Sequence, residues 1–180
     1  MNATTFVFEP PSWGLYLIGG IIVLALVGFF VSRKSPARKL IGLVVVAAVA
    51  PLLYFRIYQE RTLTLDETSI TGSYSGAERI AWSEVKQATY VAKLSTSPYR
   101  LTNRMRGSAI GNLRFGKFKL ANGEVAQVAL EQSQSAILIK TDSALHLFAP
   151  NDIQRLAKVV ANHVRLNGWE ASTGDAVSNK

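Results

Sequence analysis

The organisation of this chain is decided by residues 13–58, which read WGLYLIGGIIVLALVGFFVSRKSPARKLIGLVVVAAVAPLLYFRIY. Two apolar runs, about 13–32 and 40–58, flank a basic turn at 33–39. A hydrocarbon core about 30 Å thick requires roughly 20 apolar helical residues. The first run reaches that length, and the second reaches it if Arg56 extends toward the interface. The pattern predicts a transmembrane hairpin of two helices.

Two other interpretations of this stretch are a signal peptide followed by one span, and two buried helices of a globular core. A signal peptide has a positive beginning and a small-residue cleavage site, but the first twelve residues contain no Lys or Arg. A core helix would carry polar residues along one face, and neither run does so. The hairpin is therefore favoured over both.

The basic residues of the turn predict an orientation for this hairpin. Arg33, Lys34, Arg38 and Lys39 all lie between the two runs. Because Lys and Arg concentrate in cytoplasmic loops, the turn is expected in the cytoplasm and both termini outside. The predicted localisation is that of an integral membrane protein, with the domain after the hairpin outside the cytoplasm.

Composition limits the chemistry of the rest of the chain. The 180 residues carry a net charge of +8 and no cysteine, which excludes disulfides, thiol catalysis and thiolate metal sites. Residues 1–12 are predicted to be a polar N-terminal tail, and residues 169–180 a disordered tail, because they are small and polar. Residues 59–168 are long enough for one small domain.

Residues 59–168 show short alternating segments separated by turn residues, which predict an antiparallel meander of about seven strands. Asn122-Gly123 indicates a type I′ hairpin, and Asp142-Ser143 a second tight turn. A helix is expected from about 151 to 166, followed by a C-cap at Gly168. Its apolar face has three- and four-residue spacing and comprises Ile153, Leu156, Ala157, Val160 and Val164.

Two stretches resemble the bacterial family of pleckstrin-homology (PH)-like domains. Residues 63–91, LTLDETSITGSYSGAERIAWSEVKQATYV, are similar to its opening hairpin and its Trp-Ser-acidic-aliphatic turn, here Trp82 to Val85. Residues 100–130, RLTNRMRGSAIGNLRFGKFKLANGEVAQVAL, are similar to its later half, with the strand Gly-x-Phe-x-Leu at 116–120. The resemblance covers roughly 61–166. It implies a mainly-β PH-like barrel of about seven strands closed by one C-terminal α-helix. Because the family is bacterial, it also implies that the membrane of the predicted hairpin is the bacterial inner membrane.

Catalytic and metal-binding motifs are absent from the sequence. The two histidines, His146 and His163, have no partner at metal-ligand spacing. His146 alternates with Leu145 and Leu147, which favours an outward or hydrogen-bonded strand position over a ligand role. We predict that the protein is not an enzyme and has no cofactor or metal.

One basic segment is a candidate binding site for phosphate or anionic headgroups. No acidic residue occurs between Glu84 and Glu124, and six cations fall within residues 100–119: Arg100, Arg104, Arg106, Arg114, Lys117 and Lys119. Arg side chains match phosphate oxygens bidentately. The alternative is a solvated loop with charged strand edges that prevent edge-to-edge pairing. Tyr99 and Phe115 are interpreted as core or rim residues, so no nucleic-acid partner is predicted.

Three functional hypotheses follow. The first is a membrane-anchored binding or scaffolding module that recognises partner proteins, chiefly membrane-associated ones, next to the bilayer. The second is a sensor of anionic lipid headgroups or phosphate that uses the basic segment 100–119. The third is an enzyme accessory subunit that the domain docks to a partner. Fold by itself does not choose among them.

Overall fold

A computed structural model describes residues 3–9, 13–31, 36–58, 61–73, 78–132 and 134–169. The chain divides into two compact units, one comprising 10–60 and the other 1–9 together with 61–180. The predicted disordered tail lies outside the described residues from 170 onward.

The first unit contains two helices that contact each other, α1 (Trp13–Val31) and α2 (Pro36–Tyr58). Within the described residues, neither these helices nor any other combines the length and the apolar character needed to cross a membrane. The predicted transmembrane hairpin is therefore wrong, and so is the predicted localisation as an integral inner-membrane protein with its turn in the cytoplasm.

The physical reason for this correction lies in where the helices begin and end. Helix α1 ends at Val31, so its 19 residues are one fewer than the predicted run of 13–32. Helix α2 begins at Pro36, so Arg38 and Lys39 belong to it and not to a separate turn. Its uncharged part runs only from 40 to 55. Residues 33–35 of the predicted basic turn lie outside the described residues.

The second unit is mainly β. Its described strands form two open sheets, one ordered β1-β2-β3-β4 and the other β11-β5-β9-β10-β8-β7-β6. The strands are β1 (Thr4–Phe8), β2 (Arg61–Leu65), β3 (Ser69–Gly72), β4 (Glu78–Ala81), β5 (Gln87–Val91), β6 (Leu101–Ile110), β7 (Leu113–Leu120), β8 (Val125–Leu130), β9 (Ala136–Lys140), β10 (Leu145–Ala149) and β11 (Leu166–Asn167).

The prediction of a closed PH-like barrel, made from the resemblance, is therefore wrong. The described strands form two separate sheets, each with two edge strands. Strands β4 and β5 follow each other in sequence but belong to different sheets. The antiparallel meander is also wrong at two places, because β10 runs parallel to β8 and β11 runs parallel to β5. Turn residues specify which strands follow each other, but a parallel neighbour reached by a longer connection leaves no local signal.

Strand β1 comes from the segment predicted as a polar tail. It pairs antiparallel with β2, from Thr4 opposite Leu65 to Phe8 opposite Arg61. Phe8 is buried, and its ring meets the ring of Phe115 edge to face with centroids 5.2 Å apart. The guanidinium of Arg61 lies 4.5 Å from the centre of the same Phe115 ring. The N-terminal residues therefore contribute to the core of this unit.

A buried carboxylate holds the end of β1 in place. Glu131 accepts hydrogen bonds from the backbone N–H of Glu9 at 3.2 Å and of Asn151 at 3.3 Å. Burial raises the pKa of Glu131, and the two N–H donors oppose that rise. Because Asn151 lies at the start of the C-terminal helix region, one side chain links three separate parts of the chain.

Both predicted turn positions join two strands, but the first turn is not of the predicted type. Strands β7 and β8 are joined at Asn122-Gly123, where Gly123 has φ +87° and its N–H bonds to the carbonyl of Leu120. No described residue other than glycine has positive φ, so the turn is not the predicted type I′ but one with a single left-handed residue. Strands β9 and β10 are joined through Asp142-Ser143.

Helix α3 (Ile153–Ala161) is shorter than predicted and is followed by β11. Asp152 caps it by accepting the N–H of Arg155 at 3.1 Å. Four of the five residues of the predicted apolar face lie in α3 and are buried: Ile153, Leu156, Ala157 and Val160. Beyond the helix, the ring of His163 stacks on Trp82 with centroids 4.4 Å apart. The indole N–H of Trp82 in turn bonds to the carbonyl of Asp66 at 2.9 Å.

Candidate functional site

The basic segment forms a long hairpin at one end of the seven-stranded sheet. Strand β6 has ten residues and is outermost in that sheet, with β7 as its only neighbour among the described strands. The loop between the two strands is Gly111-Asn112, and Gly111 has φ +56°, as the first central residue of a type II′ turn requires. The sequence analysis did not predict β6, since it allowed a solvated loop within residues 100–119. Gly-Asn at 111–112, directly before the apolar positions of 113–120, was the signal that could have indicated a hairpin turn.

Two glycines set the shape of this hairpin. Gly107 lies directly opposite Gly116, and both have φ above +110°. A Cβ on Gly107 would lie 2.0 Å from the carbonyl oxygen of Phe115, and one on Gly116 would lie 2.3 Å from that of Arg106. The two backbones approach too closely for any side chain at either position. Burial also changes here along β7, where Phe115 is buried and Lys117 exposed two residues later.

Three of the six predicted residues lie together on one face. Arg106 is directly opposite Lys117, and Lys119 follows two residues further along β7, opposite Asn103. All three side chains are exposed. We call Arg106, Lys117 and Lys119 the cationic face. Thr102 and Met105 have no residue opposite them on β7. Each of these irregularities changes the side of the strand on which the following side chains lie, so the composition of the cationic face depends on both.

The other three predicted residues do not join this face. Arg104 is paired with Phe118, whose side chain is on the opposite side of the strand from Lys117 and Lys119. Arg114 turns back onto its own hairpin loop and donates to the carbonyl oxygens of Gly111 and Leu113, the latter at 2.9 Å. Arg100 precedes β6 in the loop.

No carboxylate neutralises the cationic face within the described residues. The ion pairs Lys86–Asp142 and Lys140–Glu124 use other lysines. Like charges directly opposite each other destabilise a strand pair. The opposition of Arg106 and Lys117 is therefore unfavourable for the isolated domain, and a bound anion would relieve it.

A polar row continues inward from the cationic face. Lys117 is paired with Gln127 on β8, and Gln127 with His146 on β10. His146 is only 2% exposed, and burial lowers its pKa to about 4, so the ring is neutral at pH 7. Neither Nδ1 of His146 nor Oε1 of Gln127 has a hydrogen-bond partner within the described residues. His146 is thus neither outward nor hydrogen-bonded at Nδ1, contrary to the sequence interpretation.

Within the described part of the chain, no three His, Cys, Asp or Glu side chains are grouped so that they could hold a metal ion. The two histidines contact different aromatic rings: His163 stacks on Trp82, and His146 lies near Phe148. The cationic face can attract and hydrogen-bond anions. It provides no nucleophile and no acid–base pair.

Comparison with protein families decides the affiliation. The bacterial PH domain family matches residues 60–164, more than half of the 180-residue chain. The chain belongs to the bacterial PH domain family. The resemblance predicted from residues 63–91 and 100–130 is confirmed. None of the curated proteins matches this chain.

Membership in the bacterial PH domain family indicates the general role. PH domains are generally non-catalytic modules that bind or scaffold, and their ligands are proteins or lipid headgroups. The match covers β2 to α3, and so includes the whole hairpin that carries the cationic face. Strand β1 and helices α1 and α2 lie outside it.

Proposed function

We propose that this PH domain is a binding module that recognises an acidic segment of a partner protein through the cationic face. The observation that carries this proposal is the direct opposition of Arg106 and Lys117, with Lys119 beside them and no carboxylate partner among the described residues. Such an arrangement costs stability in the isolated domain. It becomes favourable when a carboxylate or phosphate binds between the cations.

Protection of the sheet edge explains only part of this arrangement. Charged side chains on an outermost strand oppose its pairing with a second copy of the same strand, which accounts for Arg104 and Arg106 on β6. Lys117 and Lys119, however, lie on β7, which is flanked on both sides by β6 and β8. Edge protection does not require charges there. It also works with mixed signs, which would avoid the repulsion between Arg106 and Lys117.

Binding of a labelled acidic peptide to the full-length chain tests this function. The probe is a decapeptide that alternates Glu and Val, and its dissociation constant is measured by fluorescence anisotropy. Three exposed charge contacts at about 0.5 kcal/mol each amount to about a tenfold change in affinity. The triple variant Arg106→Gln, Lys117→Gln, Lys119→Gln is therefore expected to bind about tenfold more weakly.

A matched control separates the cationic face from net charge. The variant Lys93→Gln, Arg100→Gln, Arg104→Gln also removes three positive charges, but from exposed positions outside that face. We expect it to weaken binding by less than about threefold, because charges off the face act through screened long-range attraction. Equal losses in the two triple variants would contradict the proposal.

A second candidate function, the binding of anionic lipid headgroups or phosphate, is favoured by one observation. Met105 is 62% exposed between Arg104 and Arg106, and an apolar tip flanked by cations is typical of contacts with an anionic lipid surface. Co-sedimentation with vesicles of phosphatidylglycerol and phosphatidylcholine, with inorganic phosphate as competitor, distinguishes this function. Vesicle binding that Met105→Ser weakens, without any effect on peptide binding, would favour it. Arg100, Arg104 and Arg114 stay candidates in that case only.

A further inference from the structure

We infer that the partner segment binds as an added β-strand along the outer edge of β6, with its acidic side chains over the cationic face. This inference rests on the proposed function and specifies its binding mode. The recognised partner is an extended acidic segment of another protein, and its main chain supplies part of the affinity.

The first argument is the unused hydrogen-bonding capacity of β6. An outermost strand presents on one side a row of backbone N–H and C=O groups that its sheet does not use. Within the described residues, the backbone of β6 bonds to β7, and no further backbone hydrogen bond reaches residues 101–110. A second strand can satisfy these groups at low cost, since they are already held in extended geometry.

The second argument is the accessibility of this strand. At ten residues and about 3.3 Å per residue, β6 extends over about 33 Å, longer than a typical strand of about 5–6 residues. Residues 102–107 and 109 are exposed, whereas β10 in the same sheet is buried at every position. Among the described strands, only β7 pairs with β6. The other side of β6 is therefore available to a strand of a partner.

The third argument is charge complementarity, which selects the kind of strand. A second copy of β6 would bring Arg104 and Arg106 of both chains together, and like charges across strands are destabilising. The irregularities at Thr102 and Met105 further disfavour a straight copy of the same strand. From Arg106 to Ile110 the pairing with β7 is continuous. An acidic strand beside 106–110 would place a carboxylate next to Arg106 and within reach of Lys117.

Amide hydrogen exchange of the full-length chain with the Glu-Val decapeptide tests this mode. Added-strand pairing is expected to slow exchange of the outer-edge amides within 101–110 by at least about tenfold at saturating peptide. A decapeptide of the same sequence with N-methylated backbone amides keeps its charges but cannot donate main-chain hydrogen bonds. Its affinity is expected to fall by at least about tenfold. A decapeptide with Lys in place of Glu is expected neither to bind nor to protect β6.

The outcomes separate the binding mode from the function. If the decapeptide binds through the cationic face while β6 exchange is unchanged and N-methylation has no effect, the added-strand mode is overturned and the function stands. If no acidic peptide binds in a manner that depends on Arg106, Lys117 and Lys119, the function itself fails. Equal protection of β6 by the Lys peptide would overturn the role assigned to charge.

Discussion

Strands β6 and β10 belong to the same sheet and differ in almost every physical respect. Every residue of β10 is buried, and the strand lies between β8 and β9. Strand β6 lies at the end of the sheet and is exposed over most of its ten residues. Strand β10 contributes to the core, while β6 presents charged side chains and backbone groups that its sheet does not pair. If β6 has the proposed role in recognition, substitutions in the two strands are expected to affect different measurements.

The largest expected effect is the loss of a core aromatic side chain from β10. Phe148 is 1% exposed, so Phe148→Ala is expected to lower the free energy of unfolding by about 3–5 kcal/mol. Met105→Ala on β6 removes a large side chain that is 62% exposed and is expected to change it by less than about 0.5 kcal/mol. Urea unfolding of the two variants measures both. Similar losses would contradict the division between the strands.

The junction of buried and exposed regions along the hairpin is expected to be nearly as sensitive. Gly116→Ala forces a Cβ against the backbone at a positive φ, with an expected cost of about 3–4 kcal/mol. Gly123→Ala is the matched control, since φ is also positive there but nothing lies within 4 Å of the added Cβ. Its cost is expected to be about 1–2 kcal/mol. If the two glycines proved equivalent in urea unfolding, the close approach of Gly107 and Gly116 would not matter.

His146 gives β10 a pH dependence. Its pKa is about 4 in the folded state, because burial disfavours the charged ring, against about 6.5 in an unfolded chain. Below pH 6.5 the unfolded state therefore takes up a proton that the folded state refuses until about pH 4. Stability contributed by the neutral ring is complete above pH 6.5 and is expected to fall by up to about 1.4 kcal/mol per pH unit below it.

Comparison of His146→Leu with the unsubstituted chain isolates this dependence. Glu131 acts in the opposite direction, because its raised pKa contributes stability that is lost as pH rises through its folded-state value. The difference between the two chains removes that contribution. Between pH 7 and pH 5, the urea midpoint is expected to decrease less in His146→Leu than in the unsubstituted chain. Equal decreases would show that the ring does not titrate in this way.

The smallest expected effect concerns the cost of the cationic face. Lys117→Glu replaces a like-charge pair with an opposite-charge pair to Arg106 and is expected to stabilise the domain by roughly 0.5 kcal/mol. The same substitution is expected to weaken binding of the acidic decapeptide. Thermal unfolding and anisotropy on one sample check both signs. A variant that is less stable yet binds unchanged would remove the argument from like-charge opposition.

Much of the hairpin architecture could be predicted from short-range patterns. Asn122-Gly123 and Asp142-Ser143 gave two turns correctly, and the spacing of apolar residues located α3. The type of the first turn was predicted wrongly, since only Gly123 has positive φ. Strand β6 was missed because its burial pattern does not alternate: an exposed outermost strand with two irregularities has no apolar face to reveal its period.

The candidate site was half predictable. Clustering of cations within 100–119 followed from the sequence, but which of them share a face did not. That depends on the irregularities at Thr102 and Met105, which shift the pairing by one residue each and so decide which side chains lie together. The sequence also could not predict that, within the described residues, Oε1 of Gln127 and Nδ1 of His146 have no hydrogen-bond partner. These two residues are opposite each other only because β8 and β10 pair in parallel, and that pairing has no local signal.

Residue patterns were enough to predict the bacterial PH domain affiliation, two local turns, the amphipathic helix and the excess of positive charge, because motifs, turn residues, apolar spacing and charge can all be read along the chain. Long-range contacts were needed to establish that β1 pairs with β2 although α1 and α2 lie between them in the sequence, that β10 runs parallel to β8, and that two glycines bring β6 and β7 into backbone contact. The tertiary structure also overturned the transmembrane hairpin and the closed barrel. These features depend on where helices begin and which distant strands meet, and no local pattern carries that information.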